Sequence, residues 1–239
     1  MSNILNYLLV IPARYKSIRL PGKPLIDLNG YPMIIRTCLQ CAKVVPKNKI
    51  IVATDDNRIA ITCKKYGFNY KLTKSNCLTG TDRVLEIAKK IKSKYYINVQ
   101  GDEPIFNPAD INIILKKILK KHKNVLLGYT KIKNKEDILS ANIPKIFFDR
   151  NKKLIFATRK NFNYDKKTSF YRQVLIYSYP REKILLLKKF KKKKYFESKE
   201  DIEILRFLES GINVDMVKMS DKSKSIDIKK DIKKVLKLI

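Results

Sequence analysis

Arg14, Lys16, Arg19 and Lys23 fall within one short stretch that has no acidic residue before Asp27. Pro21, Gly22 and Pro24 punctuate the same stretch, so it cannot continue as a helix. It follows Leu8-Leu9-Val10-Ile11, an apolar run whose length and β-branching suit a strand buried on both faces. Pro12 has no N–H to give a ladder and is expected to end that strand. A basic, Gly/Pro-shaped loop at the C-terminal end of a first strand lies where open α/β sheets bind ligands. Its cations suit a polyphosphate. The competing reading is a solvated basic loop in a lysine-rich chain. Arg14 and Arg19 offer planar bidentate contacts, and Lys23 offers a compact point charge. One such cation about 4 Å from a phosphate is worth about 4 kcal/mol at an effective dielectric near 20. Asp102 follows Gly101 just past another apolar run, so its carboxylate can approach a Mg2+ that also touches phosphate; a turn aspartate is the alternative.

The elements that would position these residues alternate between strand and helix patterns. Pro24–Leu28 reads as extended, Asn29-Gly30 as a turn, and Pro32 as the first turn of a helix reaching Val44. Lys49–Thr54 is a second strand, and Asp55 and Asp56 cap a helix that Gly67 ends. Phe68–Leu72 is a short third strand. Thr81 is expected to cap the next helix, with Asp82 merely beginning it. Tyr95–Val99 is a fourth strand, and Asn107-Pro108 opens a helix to about Lys121. This pattern predicts an α/β fold with a doubly wound, mostly parallel sheet and right-handed crossovers. From Val125 the pattern changes. Val125–Ile132, Lys145–Phe148, Leu154–Thr158 and Gln173–Tyr179 read as strands, expected to form added sheet and a dimerisation subdomain over roughly 125–180 within a single 1–239 domain. Arg181–Phe190, Lys199–Ser210 and Asp231–Leu238 read as helices, with a strand at Asn213–Val217.

Composition narrows the function classes. Hydrophobic residues make up 44% of the 239, enough for a real core, so disorder is not expected. No apolar run has the length of a membrane span, and no leader pattern is visible, so a cytoplasmic protein with no membrane partner is expected. The net charge of +31 alone would suggest nucleic acid. Yet only ten of the 53 basic residues are arginine, and the lysines are spread along the chain beside Ile and Asn. Compositional drift explains that mixture, so no specific nucleic-acid partner is expected, and Lys191–Lys194 and Lys229-Lys230 read as solvated. Cys38, Cys41, Cys63 and Cys77 have only His122 for company, too little for a zinc site; buried reduced thiols are expected.

The run Ile11–Leu25, IPARYKSIRLPGKPL, resembles the opening of the CMP-3-deoxy-manno-octulosonate (CMP-Kdo) synthetases, cytidylyltransferases that activate Kdo for lipopolysaccharide. Ala53-Thr54-Asp55, Thr79-Gly80-Thr81-Asp82-Arg83 and Asn98-Val99-Gln100-Gly101-Asp102-Glu103-Pro104 follow in the family's order. The resemblance spans nearly the whole chain and is strongest to about residue 115. It implies a nucleotide-diphospho-sugar transferase-like fold, a homodimer, and Mg2+-dependent transfer of CMP from CTP to the anomeric hydroxyl of Kdo. It places CTP on Arg14, Arg19, Lys23, Thr79 and Gly80, with Arg14, Lys23 and Asp102 carrying catalysis. It makes Asp102 and Asp227 the metal ligands, although Ser225-Ile226-Asp227-Ile228 keeps only the acid of the family's run. Glu103 is left as a supporting or surface residue.

For the sugar the resemblance implies Gln100, Arg159, Tyr177 and Glu203, with Glu197, Glu200 and Glu203 on one helix side. The family's histidine in an R-H-L-G-I-Y run is Gln173 here, its glutamine before L-R is Ile204, and Lys160–Tyr171 is short. These departures predict weakened acceptor binding that Ile204→Gln partly restores. The alternatives are transfer to another ulosonic, sialic-like acid, or a decayed non-catalytic basic binding protein.

Overall fold

The computed structural model describes residues 6–17, 19–162 and 168–239. The stretch 160–171 lies partly outside the described residues. The first strand, β1 (Tyr7–Ala13), leads to the basic loop, a single 3-10 turn at Lys23–Leu25, and the small hairpin of β2 (Asp27–Leu28) and β3 (Tyr31–Pro32). There follow α1 (Met33–Ala42), β4 (Ile50–Thr54), α2 (Asn57–Lys65), β5 (Asn69–Leu72), α3 (Gly80–Lys90), β6 (Tyr95–Val99) and α4 (Ala109–Leu119). The second half holds β7 (Val125–Lys131), α5 (Lys135–Leu139), β8 (Lys145–Phe148), β9 (Leu154–Thr158) and β10 (Tyr171–Pro180). It closes with α6 (Arg181–Leu186), α7 (Tyr195–Glu200), α8 (Leu205–Leu208), β11 (Val214–Lys218) and α9 (Lys229–Leu236).

The main sheet has the order β11-β7-β10-β6-β1-β4-β5. β1 pairs in parallel with β4 and with β6, and β4 with β5. β10 is antiparallel to both β6 and β7, and β11 is parallel to β7. Every strand on this path except β10 therefore points the same way, a mostly parallel, doubly wound α/β sheet. β8 and β9 pair off the path, beside β10. From β1 the chain winds outward to β4 and β5, then returns to lay β6 on the other side. The gap between the ends of β1 and β6 is the switch point, where such sheets bind ligands.

Both faces of the sheet are covered. Leu8 and Val10 join one core with α3 residues and Phe207, while Leu9 and Ile11 join another with Ile34, Cys38 and Ile114. Strands buried on both sides read as continuous apolar runs, which is what Leu8–Ile11 and Ile50–Ala53 are. Cys38, Cys41 and Cys63 are buried free thiols, and burial pushes the Cys63 thiol up to about 12. Among the described residues, no helix is long and apolar enough to cross a membrane.

Three local expectations are corrected. Pro12 lies inside β1, opposite Ala53. β6 pairs with β1 only as far as Val10, so on that side Pro12 interrupts no ladder. The cap of α3 is Thr79, not Thr81; its Oγ1 accepts from the Asp82 amide while the Asp82 carboxylate accepts from the Thr79 amide. The helix expected over Lys199–Ser210 is broken at Asp201, whose left-handed backbone (φ 50°) ends α7 before α8 begins.

Candidate active site

The basic loop folds back on itself after β1. The Gly22 amide donates to the Tyr15 carbonyl at 3.1 Å, and Gly22 takes a left-handed φ of 68°. That turn aims Lys23 inward. Its ammonium donates to Asp102 Oδ2 at 2.7 Å, to the Ile226 carbonyl at 2.9 Å and to Asp227 Oδ1 at 3.5 Å. Arg19 reaches Asp227 Oδ1 at 2.9 Å. The Ile226 amide donates to the Asp102 carbonyl at 3.0 Å, which ties the two carboxylate-bearing segments together. Asp231 holds the far side, accepting from the Asp227 and Ile228 amides at 2.9 and 3.0 Å. The fold thus brings Arg19, Lys23, Asp102 and Asp227 into one cluster. Arg14 and Lys16 are exposed on the same loop.

Glu103 is not a surface residue. It is buried, accepts from Ser223 Oγ at 3.0 Å, and links the β6 exit to the segment before Asp227. Burial, with Asp102 beside it, pushes its carboxyl up to about 8. Asp102 Oδ1 is buried and has no hydrogen-bond partner among the described residues. Two carboxylates and an unpartnered carboxylate oxygen are hard donors that suit a divalent cation such as Mg2+. Among the described residues, no group of three or more His, Cys, Asp or Glu side chains could hold a metal. A cation here would keep coordination positions for phosphate oxygens and water.

The turn Thr79-Gly80-Thr81 packs against the same strand ends. A Cβ on Gly80 would lie 2.8 Å from the Gln100 amide and 3.1 Å from Pro12 Cγ. Gln100 donates to Glu203 Oε1, and the Thr81 amide donates to Glu203 Oε2 at 2.8 Å. Burial raises the Glu203 carboxyl above its ordinary range. Tyr177 is buried, stacked on Tyr179 at 5.9 Å, and its hydroxyl is pushed well up by burial and by Glu203. Gln100, Tyr177 and Glu203 therefore gather beside the Thr79–Thr81 turn.

Arg159 is placed differently. Its guanidinium donates to the carbonyls of Glu200 at 3.1 Å, Ala141 at 3.3 Å, Asn142 at 2.9 Å and Asp201 at 3.4 Å. An arginine has five N–H groups, so one remains. Burial disfavours the Asp201 carboxylate, but Lys193, with smaller contributions from the Arg159 and Arg14 charges, outweighs that and lowers its pKa.

The three glutamates do not share one helix side. Glu197 pairs with Arg206, Glu200 accepts from Thr158 and the Arg159 amide, and Glu203 lies past the break at Asp201. Ile204 does not face an open sugar site; it is 1% exposed and packs into the core. Gln173 is half-buried on β10, with Oε1 unpartnered among the described residues. Lys193 and Lys194 are not simply solvated, for Lys193 pairs with Asp201 at 2.5 Å and Lys194 donates to the Glu209 carbonyl at 2.6 Å.

Sequence reasoning missed the buried connections. Arg83 pairs with Asp55 at 2.8 Å, joining two of the motif runs. Asp82 does more than begin a helix, because it also pairs with the buried Arg206. The signal was present as charged residues inside apolar patterns, the positions where an unpaired charge costs most.

A cytidylyltransferase family model matches residues 8–226. The 3-deoxy-manno-octulosonate cytidylyltransferase of Geotalea uraniireducens is 35% identical, over 95% of this chain and 96% of that protein. Its namesake from Geobacter metallireducens is 34% identical, over 95% of each. The solved structure of a CMP:2-keto-3-deoxy-manno-octonic acid synthetase complexed with CTP has a TM-score of 0.87 to this one, at 29% identity over 98% of both chains. Because the match takes in the basic loop, the α3 turn and the β6 exit together, the chain belongs to the 3-deoxy-manno-octulosonate cytidylyltransferase family of nucleotidyltransferases.

Proposed function

We propose that this protein transfers CMP from CTP to the anomeric hydroxyl of 3-deoxy-D-manno-octulosonate, releasing pyrophosphate, in a Mg2+-dependent reaction. The observation that carries the reading is the contact of Lys23 with both Asp102 and Asp227 at the sheet's switch point. Arg14, Arg19 and Lys23 hold the triphosphate, and Thr79 and Gly80 hold the nucleoside. Gly80 does so because its missing side chain lets backbone come close. Gln100, Tyr177 and Glu203 orient the sugar hydroxyls. Arg159 offers the sugar carboxylate its remaining N–H and its charge. Asp102 and Asp227 would hold Mg2+, which neutralises the charge that develops on the phosphates. The chain's own work is to align the acceptor oxygen with the α-phosphorus, so that a P–O bond forms to the sugar as the bond to pyrophosphate breaks and the hydroxyl proton passes to water.

The wider reading is a cytoplasmic enzyme of lipopolysaccharide synthesis that acts as a homodimer, with 125–180 as the dimerisation region of one 1–239 domain. Phe147 and Ile155, exposed on β8 and β9, give that region an apolar surface. Light scattering should give twice the 28.0 kDa chain mass, and a monomer at micromolar concentration contradicts the dimer. For the reaction, the test is product identification from CTP with Kdo or with a sialic acid. CMP-Kdo should form and CMP-sialate should not; the opposite outcome reassigns the acceptor.

A further inference from the structure

We infer that Arg206 is a positioning residue that couples the acceptor side of the site to the nucleotide side. The inference rests on the reading that Thr79 and Gly80 face the nucleotide and Glu203 the sugar. The Arg206 side chain is 1% exposed. Its Nε and Nη2 donate to Glu197 Oε2 and Oε1 at 2.7 and 2.6 Å, a bidentate pair. Its Nη1 donates to Asp82 Oδ1, and Nη2 also reaches Asp82 Oδ2 at 3.4 Å. Only a planar fork can serve two carboxylates in this way; lysine offers one nitrogen.

Asp82 is the other half of the device. Its Oδ2 accepts from the Thr79 amide at 2.9 Å and from Thr79 Oγ1 at 3.1 Å, so it fixes the turn that precedes α3. Arg206 therefore grips the nucleotide turn through Asp82. Three residues earlier, Glu203 grips the same turn through the Thr81 amide and also holds Gln100. The short segment from Glu203 to Arg206 thus bears on Thr79-Gly80-Thr81 at two points. Any shift of Glu203 when the sugar engages it is carried to the turn that holds the nucleotide.

The test is steady-state kinetics, with CTP and Kdo varied in turn, on wild type, Arg206→Met, Arg206→Lys and Asp82→Asn, alongside each melting temperature. Arg206→Met should raise the KM for CTP roughly ten- to a hundredfold although it sits on the acceptor-side segment. Arg206→Lys should recover part of that loss. Asp82→Asn keeps the side chain's shape and removes the charge, so it should show the same CTP signature even where Arg206→Met does not fold. A lowered melting temperature with both KM values within twofold of wild type, in Arg206→Lys and Asp82→Asn, overturns the coupling. Absence of wild-type turnover overturns the functional reading beneath it, whereas wild-type turnover with unmoved KM values overturns only the coupling.

Discussion

Lys23 holds an ammonium 2.7 Å from Asp102 and 3.5 Å from Asp227, so in the free protein it neutralises the two carboxylates a divalent cation would take. In the proposed site, Mg2+ arriving alone would displace it, while CTP arriving alone would draw it away and leave the carboxylates bare. Each ligand should therefore favour the other. Lys23→Met should bind Mg2+ alone about tenfold tighter, and CTP about tenfold weaker, than wild type, about 1.4 kcal/mol each way. Calorimetric titration checks this; unchanged Mg2+ affinity contradicts it. Ile204 gives the opposite lesson. It sits in the core beside Leu205 and Phe207, so Ile204→Gln should lower stability by about 2 kcal/mol, the cost of burying an unpaired amide, and should not improve Kdo binding. Denaturant unfolding and the Kdo KM decide it. That Lys23 and Asp102 lie at neighbouring strand exits was legible in the sequence, because the loop and strand exit that carry them have local Gly/Pro and apolar signals. The pairing of Arg206 with Asp82 was not, since 124 residues separate them and only the fold closes that distance.

α3 shows how a local signal and a distant constraint meet in one element. Its apolar positions were legible from their helical spacing, but the cap was misplaced by two residues because Thr79 and Thr81 are equally good caps in sequence. Asp82 decides between them, since its carboxylate returns to the Thr79 amide. Thr79→Ala should cost about 1 kcal/mol of stability and also raise the KM for CTP. A thermal melt with CTP kinetics separates the two effects, and a variant that loses stability with an unmoved CTP KM removes Thr79 from the nucleotide site. The break between α7 and α8 was illegible for a related reason. Glu200 and Glu203 are both good helix formers, yet Glu200 bonds Thr158, Glu203 bonds Thr81, and the left-handed Asp201 separates the two.

Across the whole molecule, the parallel half of the sheet followed from strand–helix alternation, because buried parallel strands announce themselves as apolar runs. The insertion of β10 between β6 and β7 did not, since pairing direction and strand order depend on chain closure rather than on any residue of β10. Charge is a property of the same scale. The +31 balance should give weak, non-sequence-selective nucleic-acid binding that falls steeply between 50 and 200 mM salt, roughly a thousandfold for several phosphate contacts. A salt-resistant, sequence-selective complex in a gel-shift titration contradicts the drift reading. All three scales meet where a switch-point loop contacts two carboxylates from distant segments, the proposed site of a Mg2+-dependent transfer. Its most direct measurement is pyrophosphate release from CTP plus Kdo by wild type, Asp102→Ala and Asp227→Ala, with Mg2+ and with EDTA. Wild type should turn over only with Mg2+ and both substrates, and each variant should fall at least a hundredfold while keeping its fold. Full activity in either variant, or wild-type turnover untouched by EDTA, would contradict a metal site at Asp102 and Asp227.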